Sequence, residues 1–278
     1  MYTTIISADA LAADLYNPSW VIVDCSYELS DKEAGVGQYE ATHILGAVYA
    51  HPYHDLSGPP LTDHGRHPLP SAEKLRQVFS KLGIASNTQV IAYDRRGGVT
   101  AARLWWLLRY MGHDKAAVLD GGWAAWTAAG YPTTNEKSVN DSAEFQGEPN
   151  TDRLVVINDV LDQSLLIDSR DSKRFAGLAK GSDPVAGHIP GATNRHYPLN
   201  YDAGKKLLSA EVLQQQFSDL LGGVPSNEAT FYCGSGVSAC VNLLAMEHAG
   251  LPMGKLYVGS WSEWSRDADR PKITPAAS

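Results

Sequence analysis

The sequence predicts an α/β protein of two tandem domains, each a parallel sheet flanked by helices, and three observations carry that prediction. Short apolar strands alternate with helical stretches throughout, the pattern of a parallel sheet covered on both faces. The chain repeats itself at long period: Val21-Ile22-Val23-Asp24 and His43-Ile44-Leu45-Gly46-Ala47 return as Leu165-Leu166-Ile167-Asp168 and His188-Ile189-Pro190-Gly191-Ala192. A polar stretch rich in Asn, Glu, Ser and Asp separates the copies, which places a linker at about 134–152 and the domains at 1–140 and 141–278. A repeat of this length marks a duplicated domain, since solenoid units are far shorter.

Taken in order, the first copy opens with the buried-type strand Val21–Asp24. Later comes Val90-Ile91-Ala92-Tyr93-Asp94, a second such strand, followed by Val99-Thr100-Ala101-Ala102. Its counterpart in the second copy is Thr230-Phe231-Tyr232-Cys233, followed by Val237-Ser238-Ala239-Cys240. Gly121-Gly122-Trp123-Ala124-Ala125-Trp126 likewise answers to Gly259-Ser260-Trp261-Ser262-Glu263-Trp264. The stretches from Ala101 to Met111 and from Ala210 to Leu221 predict amphipathic helices. Asp94 therefore stands where the second copy has Cys233, and an acid cannot replace a sulfur nucleophile. The first domain is expected to be a scaffold contributing to the cleft. Its loop Asp94-Arg95-Arg96-Gly97-Gly98-Val99 is one residue longer before the shared valine, so its amides are not expected to converge as those after Cys233 do.

Cys233 is the residue that bears on chemistry. It sits where a strand hands over to a helix, the place where open α/β sheets bind ligands. Gly234 and Gly236 are expected to take positive φ and turn backbone N–H groups inward, and the helix start adds positive potential. That setting favours a thiolate. Cys25 follows an apolar run and Cys240 lies inside the next helix with its side chain expected to point away from the loop, so both read as packing residues.

Composition bounds the rest. Of 278 residues, 44% are hydrophobic and 19% charged, which describes a soluble globular chain with sizeable cores. The formal net charge of −8 opposes binding to nucleic acid or an anionic membrane by bulk charge. Three widely spaced cysteines suggest neither a disulfide framework nor a metal site. With no charged leader and no long apolar stretch, a cytoplasmic location is expected.

The motifs Gly187-His188-Ile189-Pro190-Gly191-Ala192, Asp120-Gly121-Gly122-Trp123, Gly259–Trp264 and the Cys233 loop together resemble the tandem-domain rhodanese family, within it the 3-mercaptopyruvate and thiosulfate sulfurtransferases. The resemblance implies two rhodanese-like domains, the first non-catalytic and the second catalytic. It also implies an enzyme without a cofactor, in which Cys233 takes sulfur from a small donor as a persulfide and passes it to cyanide or to a thiol such as thioredoxin. Gly234, Gly236, Val237 and Ser238 match the loop that cradles the persulfide. Ser235 matches the loop serine of a proposed Ser-His-Asp relay, with His67 at the histidine position and Asp55 as the acid. Arg174 matches the first substrate-binding arginine. The family's second arginine is missing from Gly177–Ala186, and Lys180 or Arg195 is the expected substitute. Asp168 and Arg170 read as a structural ion pair.

Mercaptopyruvate enzymes tend to carry Gly-Ser-Gly-Val after the cysteine, as this chain does, with Ser238 where Thr is commoner. No cation follows Cys233 in its loop, so 3-mercaptopyruvate is expected to be preferred over the dianion thiosulfate, and Gly234→Arg with Ser235→Lys to shift that preference toward thiosulfate. A thiosulfate-preferring rhodanese is the alternative. A cysteine phosphatase would place an arginine six residues after the cysteine, where Ala239 stands. A non-catalytic binding module would usually have lost the cysteine, and a Cys233–Cys240 redox pair requires a thiol aimed at the loop.

Overall fold

The computed structural model describes residues 1–28, 31–59 and 64–274. Two compact units emerge: Met1–Gly58, Pro70–Asn150 and Ala203–Leu207 form the first, and Pro59–Leu69, Thr151–Asp202 and Leu208–Ser278 the second. The sequence boundary is thus crossed twice, and the segment Pro59–Leu69 of the first half belongs to the second unit. Nor is the polar stretch a free tether. Phe145 is buried edge-on against Phe79 at 4.9 Å between ring centres, and the amides of Ala143 and Phe145 donate to the Ser80 carbonyl and hydroxyl.

Each unit holds one five-stranded parallel sheet. In the first, the order is Ile5–Ile6, Ala116–Leu119, Gln89–Tyr93, Trp20–Asp24, Val48–Tyr49. In the second it is Leu154–Val155, Lys255–Tyr257, Ala229–Tyr232, Leu165–Asp168, Thr193–Asn194, the same arrangement strand for strand. The duplication reaches single hydrogen bonds. Asp24 pairs with Tyr93 and Asp168 with Tyr232. The Tyr93 hydroxyl accepts the Ile44 amide at 3.1 Å, as the Tyr232 hydroxyl accepts that of Ile189 at 3.3 Å. Trp126 and Trp264 each donate the indole N–H to a carbonyl shortly downstream, of Pro132 and Pro271.

In both sheets the central strand, buried at every position, runs straight into the loop of interest and then into a helix. Those helices, Val99–Tyr110 and Ala239–His248, are not amphipathic as the first was expected to be: ten of the 12 residues of Val99–Tyr110 are buried. A helix that is apolar nearly all round is one covered on all sides. The outer helix Ala210–Leu221 does follow the expected pattern, burying Leu213, Phe217 and Leu221 on one stripe, each contributing about 1.5–3 kcal/mol. It starts at Ser209, whose hydroxyl accepts the Val212 amide, and stops at Gly222 in the left-handed region. No described helix is long and apolar enough to cross a membrane.

Candidate active site

Cys233 leaves the central strand only 2% exposed. Its amide donates to the Ser260 hydroxyl at 3.1 Å, and that hydroxyl donates to the Tyr257 carbonyl at 2.9 Å. The carbonyls of Cys233 and Gly234 accept the amides of Trp261 and Ser262 at 3.0 and 2.9 Å. The first two carbonyls of the loop are therefore spent on the Ser260–Trp264 helix, while among the described residues no protein acceptor takes the amides of Ser235, Val237 or Ser238. Ser260 holds φ at 55°, a conformation that costs a non-glycine residue of order 1–2 kcal/mol and is sustained by its two hydrogen bonds.

The two loop glycines serve different purposes. Gly236 has φ 74°, and a β-carbon there would lie 2.2 Å from the Val258 carbonyl oxygen. Gly234 is not in the positive-φ region, contrary to expectation. It faces the ends of two long side chains, which a β-carbon would push aside: that atom would lie 2.9 Å from Nη2 of Arg66 and 2.9 Å from Nη2 of Arg174. Gly234→Arg would consequently displace both guanidinium groups: the loop carries no cation of its own, as the sequence shows, but two cations from other segments lie beside it.

The sister loop shows what this backbone does with negative charge. Asp94 Oδ1 accepts the amides of Arg96 and Gly98 at 2.7 and 2.8 Å, and Oδ2 those of Thr100 and Ala101 at 2.8 and 3.0 Å. The Thr100 hydroxyl adds a bond at 3.0 Å. The longer loop does converge, on its own carboxylate. Hydrogen bonds to a charged group are worth about 1.5–3 kcal/mol each, so the first unit fills its anion cradle from within. By the repeat, Thr100 and Ala101 correspond to Ser238 and Ala239.

Around Cys233 the second unit gathers a buried His67, whose Nδ1 lies 2.8 Å from Ser235 Oγ. Arg66 comes from the same segment, held by its amide, which donates to Ser262 Oγ at 3.0 Å. Asp183, fully buried, ties the two arginines together: Oδ1 accepts Arg66 Nη1, and Oδ2 accepts Arg174 Nη2 at 2.8 Å. Arg174 is itself placed by a short helix, Ser172–Phe175, whose cap Asp171 accepts its amide at 3.0 Å. Sequence reasoning named Arg174, Ser235 and His67 but not Arg66 or Asp183.

The remaining candidates have other partners. The Arg195 guanidinium donates to Asn200 Oδ1 and Gln216 Oε1 at 2.8 and 2.9 Å and stacks on Phe217, and burial brings its pKa down to about 10. Lys180 is exposed. Asp55 belongs to the first unit, where Oδ2 accepts the His51 amide at 2.8 Å. Asp168 and Arg170 form the expected buried pair, and Arg170 also donates to the Gly187 carbonyl at 2.7 Å. Burial, with Asp24, Asp94 and Asp55 adding to it, pushes the Cys25 thiol well above its usual range. Cys240 does not point away from the loop. Side chains lean toward a helix's N-terminus, and its Sγ reaches the Gly236 carbonyl at 3.4 Å. Among the described residues, Glu33, His51 and His54 are the one group close enough to hold a metal, but His51 Nδ1 accepts the amides of Tyr53 and His54 and Nε2 faces the Lys32 carbonyl.

Comparison with known proteins gives the same frame. The model of the rhodanese-like domain matches twice, over residues 7–129 and 153–267. A probable 3-mercaptopyruvate sulfurtransferase of Pseudomonas aeruginosa is 42% identical, over 97% of this chain and 98% of its own length. A thiosulfate/3-mercaptopyruvate sulfurtransferase of Arabidopsis thaliana is 32% identical over 97% of this chain and 86% of its own. Among solved structures, a 3-mercaptopyruvate sulfurtransferase from Leishmania major superposes with a TM-score of 0.85 at 31% identity, covering 95% of this chain and 74% of that one.

Proposed function

We propose, for a chain that belongs to the rhodanese-like domain family, that Cys233 carries a sulfur atom from 3-mercaptopyruvate to a thiol or cyanide. The chain is a sulfurtransferase. Its donor, acceptor and residue roles are our reading, and the single observation that carries it is the pair of sister loops. One holds a carboxylate with four backbone amides; the other offers similar backbone with a cysteine in the carboxylate's place.

The Cys233 thiolate attacks the donor sulfur, and an S–S bond forms as the donor's C–S bond breaks. The bonding pair stays on carbon as the enolate of pyruvate, which takes a proton. Ser235 and His67, 2.8 Å apart, are placed to relay that proton. Amides of Ser235, Val237 and Ser238 stabilise the persulfide's charge, as the sister loop stabilises Asp94. Arg66 and Arg174 hold the donor carboxylate. An acceptor thiolate then attacks the outer sulfur, its S–S bond to Cys233 breaks, and the Cys233 thiolate returns; cyanide gives thiocyanate by the same displacement. We assign no role to Asp55, and Arg195 serves the packing of the second unit. Three free thiols suit a reducing compartment, and we place the activity in the cytoplasm.

Steady-state kinetics test the donor. We expect a higher kcat/KM for 3-mercaptopyruvate than for thiosulfate, by about tenfold or more, since an enolate can use the Ser235–His67 relay and sulfite needs no proton. Equal or better turnover of thiosulfate would sink the assignment.

A further inference from the structure

The cationic clamp beside Cys233 is built with a carboxylate inside it. Asp183 is fully buried, whereas the Arg66 and Arg174 side chains retain 27% and 26% of their exposure. Arg66 spends Nη1 on Asp183 and sets Nη2 close to Gly234, whereas in Arg174 the Nη2 that donates to Asp183 is also the nitrogen close to Gly234. Two cations and one anion leave a net charge of one positive unit. Arg170 feels Asp183 too, but it is paired with Asp168 and leaves that balance unchanged. Lys180 contributes its carbonyl to the Asp183 amide at 3.4 Å and is exposed.

We propose that Asp183 is a specificity-determining positioning residue: it holds Arg66 and Arg174 side by side and reduces their combined charge to match a donor with one carboxylate. A buried carboxylate between two guanidinium groups fixes their planes for a bidentate partner. It also repels a second negative charge brought to the same place, which thiosulfate would bring and 3-mercaptopyruvate would not. This inference rests on sulfur transfer at Cys233 and adds to it the reason for the donor's charge class.

The test measures kcat/KM for both donors, at fixed ionic strength, in the wild type, Asp183→Asn and Asp183→Glu. In Asp183→Asn the ratio of thiosulfate to 3-mercaptopyruvate should rise about tenfold, mainly through a lower KM for thiosulfate. Asp183→Glu should keep the ratio within about threefold of the wild type, because the charge is restored. Parallel loss with both donors in Asp183→Asn, at an unchanged ratio, would reduce Asp183 to a structural residue and overturn the proposal. If Asp183→Asn does not fold, Arg66→Gln decides. Removing a cation should move the ratio the other way by about threefold or more, and an unmoved ratio is again contrary. A wild type that draws sulfur from neither donor would instead overturn the proposed function itself.

Discussion

Replacing Cys233 with serine lowers sulfur transfer from either donor by on the order of a thousandfold or more, and leaves the circular dichroism spectrum unchanged. The size follows from the chemistry. The covalent carrier of the sulfur is lost, and a hydroxyl in the same loop is neither ionised nor able to hold a sulfane sulfur. What survives the substitution is the clamp and the relay, which can bind the donor but have nothing to receive its sulfur. Cys25→Ser and Cys240→Ser are the controls, and both should keep turnover. Cys25 is buried beside three carboxylates that oppose its ionisation, and Cys240 engages the Gly236 carbonyl inside a buried helix. A Cys233→Ser protein that retained a substantial fraction of activity would remove the covalent mechanism.

The second large effect falls on the clamp. Arg174→Met and Arg66→Met are each expected to reduce kcat/KM for 3-mercaptopyruvate by about 10- to 150-fold, from the loss of one charge-assisted contact worth about 1.5–3 kcal/mol. Most of the change should appear in KM, because the carboxylate is held before and during the reaction alike. Changing both arginines together should not simply add. It would leave Asp183 fully buried and unpaired, and breaking a buried pair in that way costs about 3–5 kcal/mol, so the double variant should melt markedly earlier than either single one. Unchanged KM values in both single variants would show that the donor carboxylate is held elsewhere.

What the sequence made legible was local. The strand that ends in Cys233, the matching strand that ends in Asp94 and the paired tryptophan motifs all lie within short windows, and the repeat places them in equivalent positions. The two five-stranded sheets follow from that alternation. What it hid depends on distance along the chain. His67 meets Ser235 across 168 residues, and no periodicity encodes such a meeting; the family resemblance alone pointed to that pair. Nothing local marks Arg66 either: the family's second arginine is expected within Gly177–Ala186, and that segment holds instead the acidic partner of Arg66, Asp183. Conformation also eluded residue type. Two glycines in one loop looked alike, yet only Gly236 needs positive φ, while Gly234 faces guanidinium groups that belong to other segments. The Asp94 loop, one residue longer, looked unable to focus its amides, and its own carboxylate supplies the focus.

The most direct measurement of the central claim is the intact mass of the protein after incubation with 3-mercaptopyruvate alone, followed by peptide mapping and by addition of an acceptor thiol. The mechanism predicts a gain of one sulfur atom per chain, mapped to Cys233, absent from Cys233→Ser and discharged when the thiol is added. Pyruvate released without any mass gain, or the added sulfur mapped to Cys25 or Cys240, would contradict it.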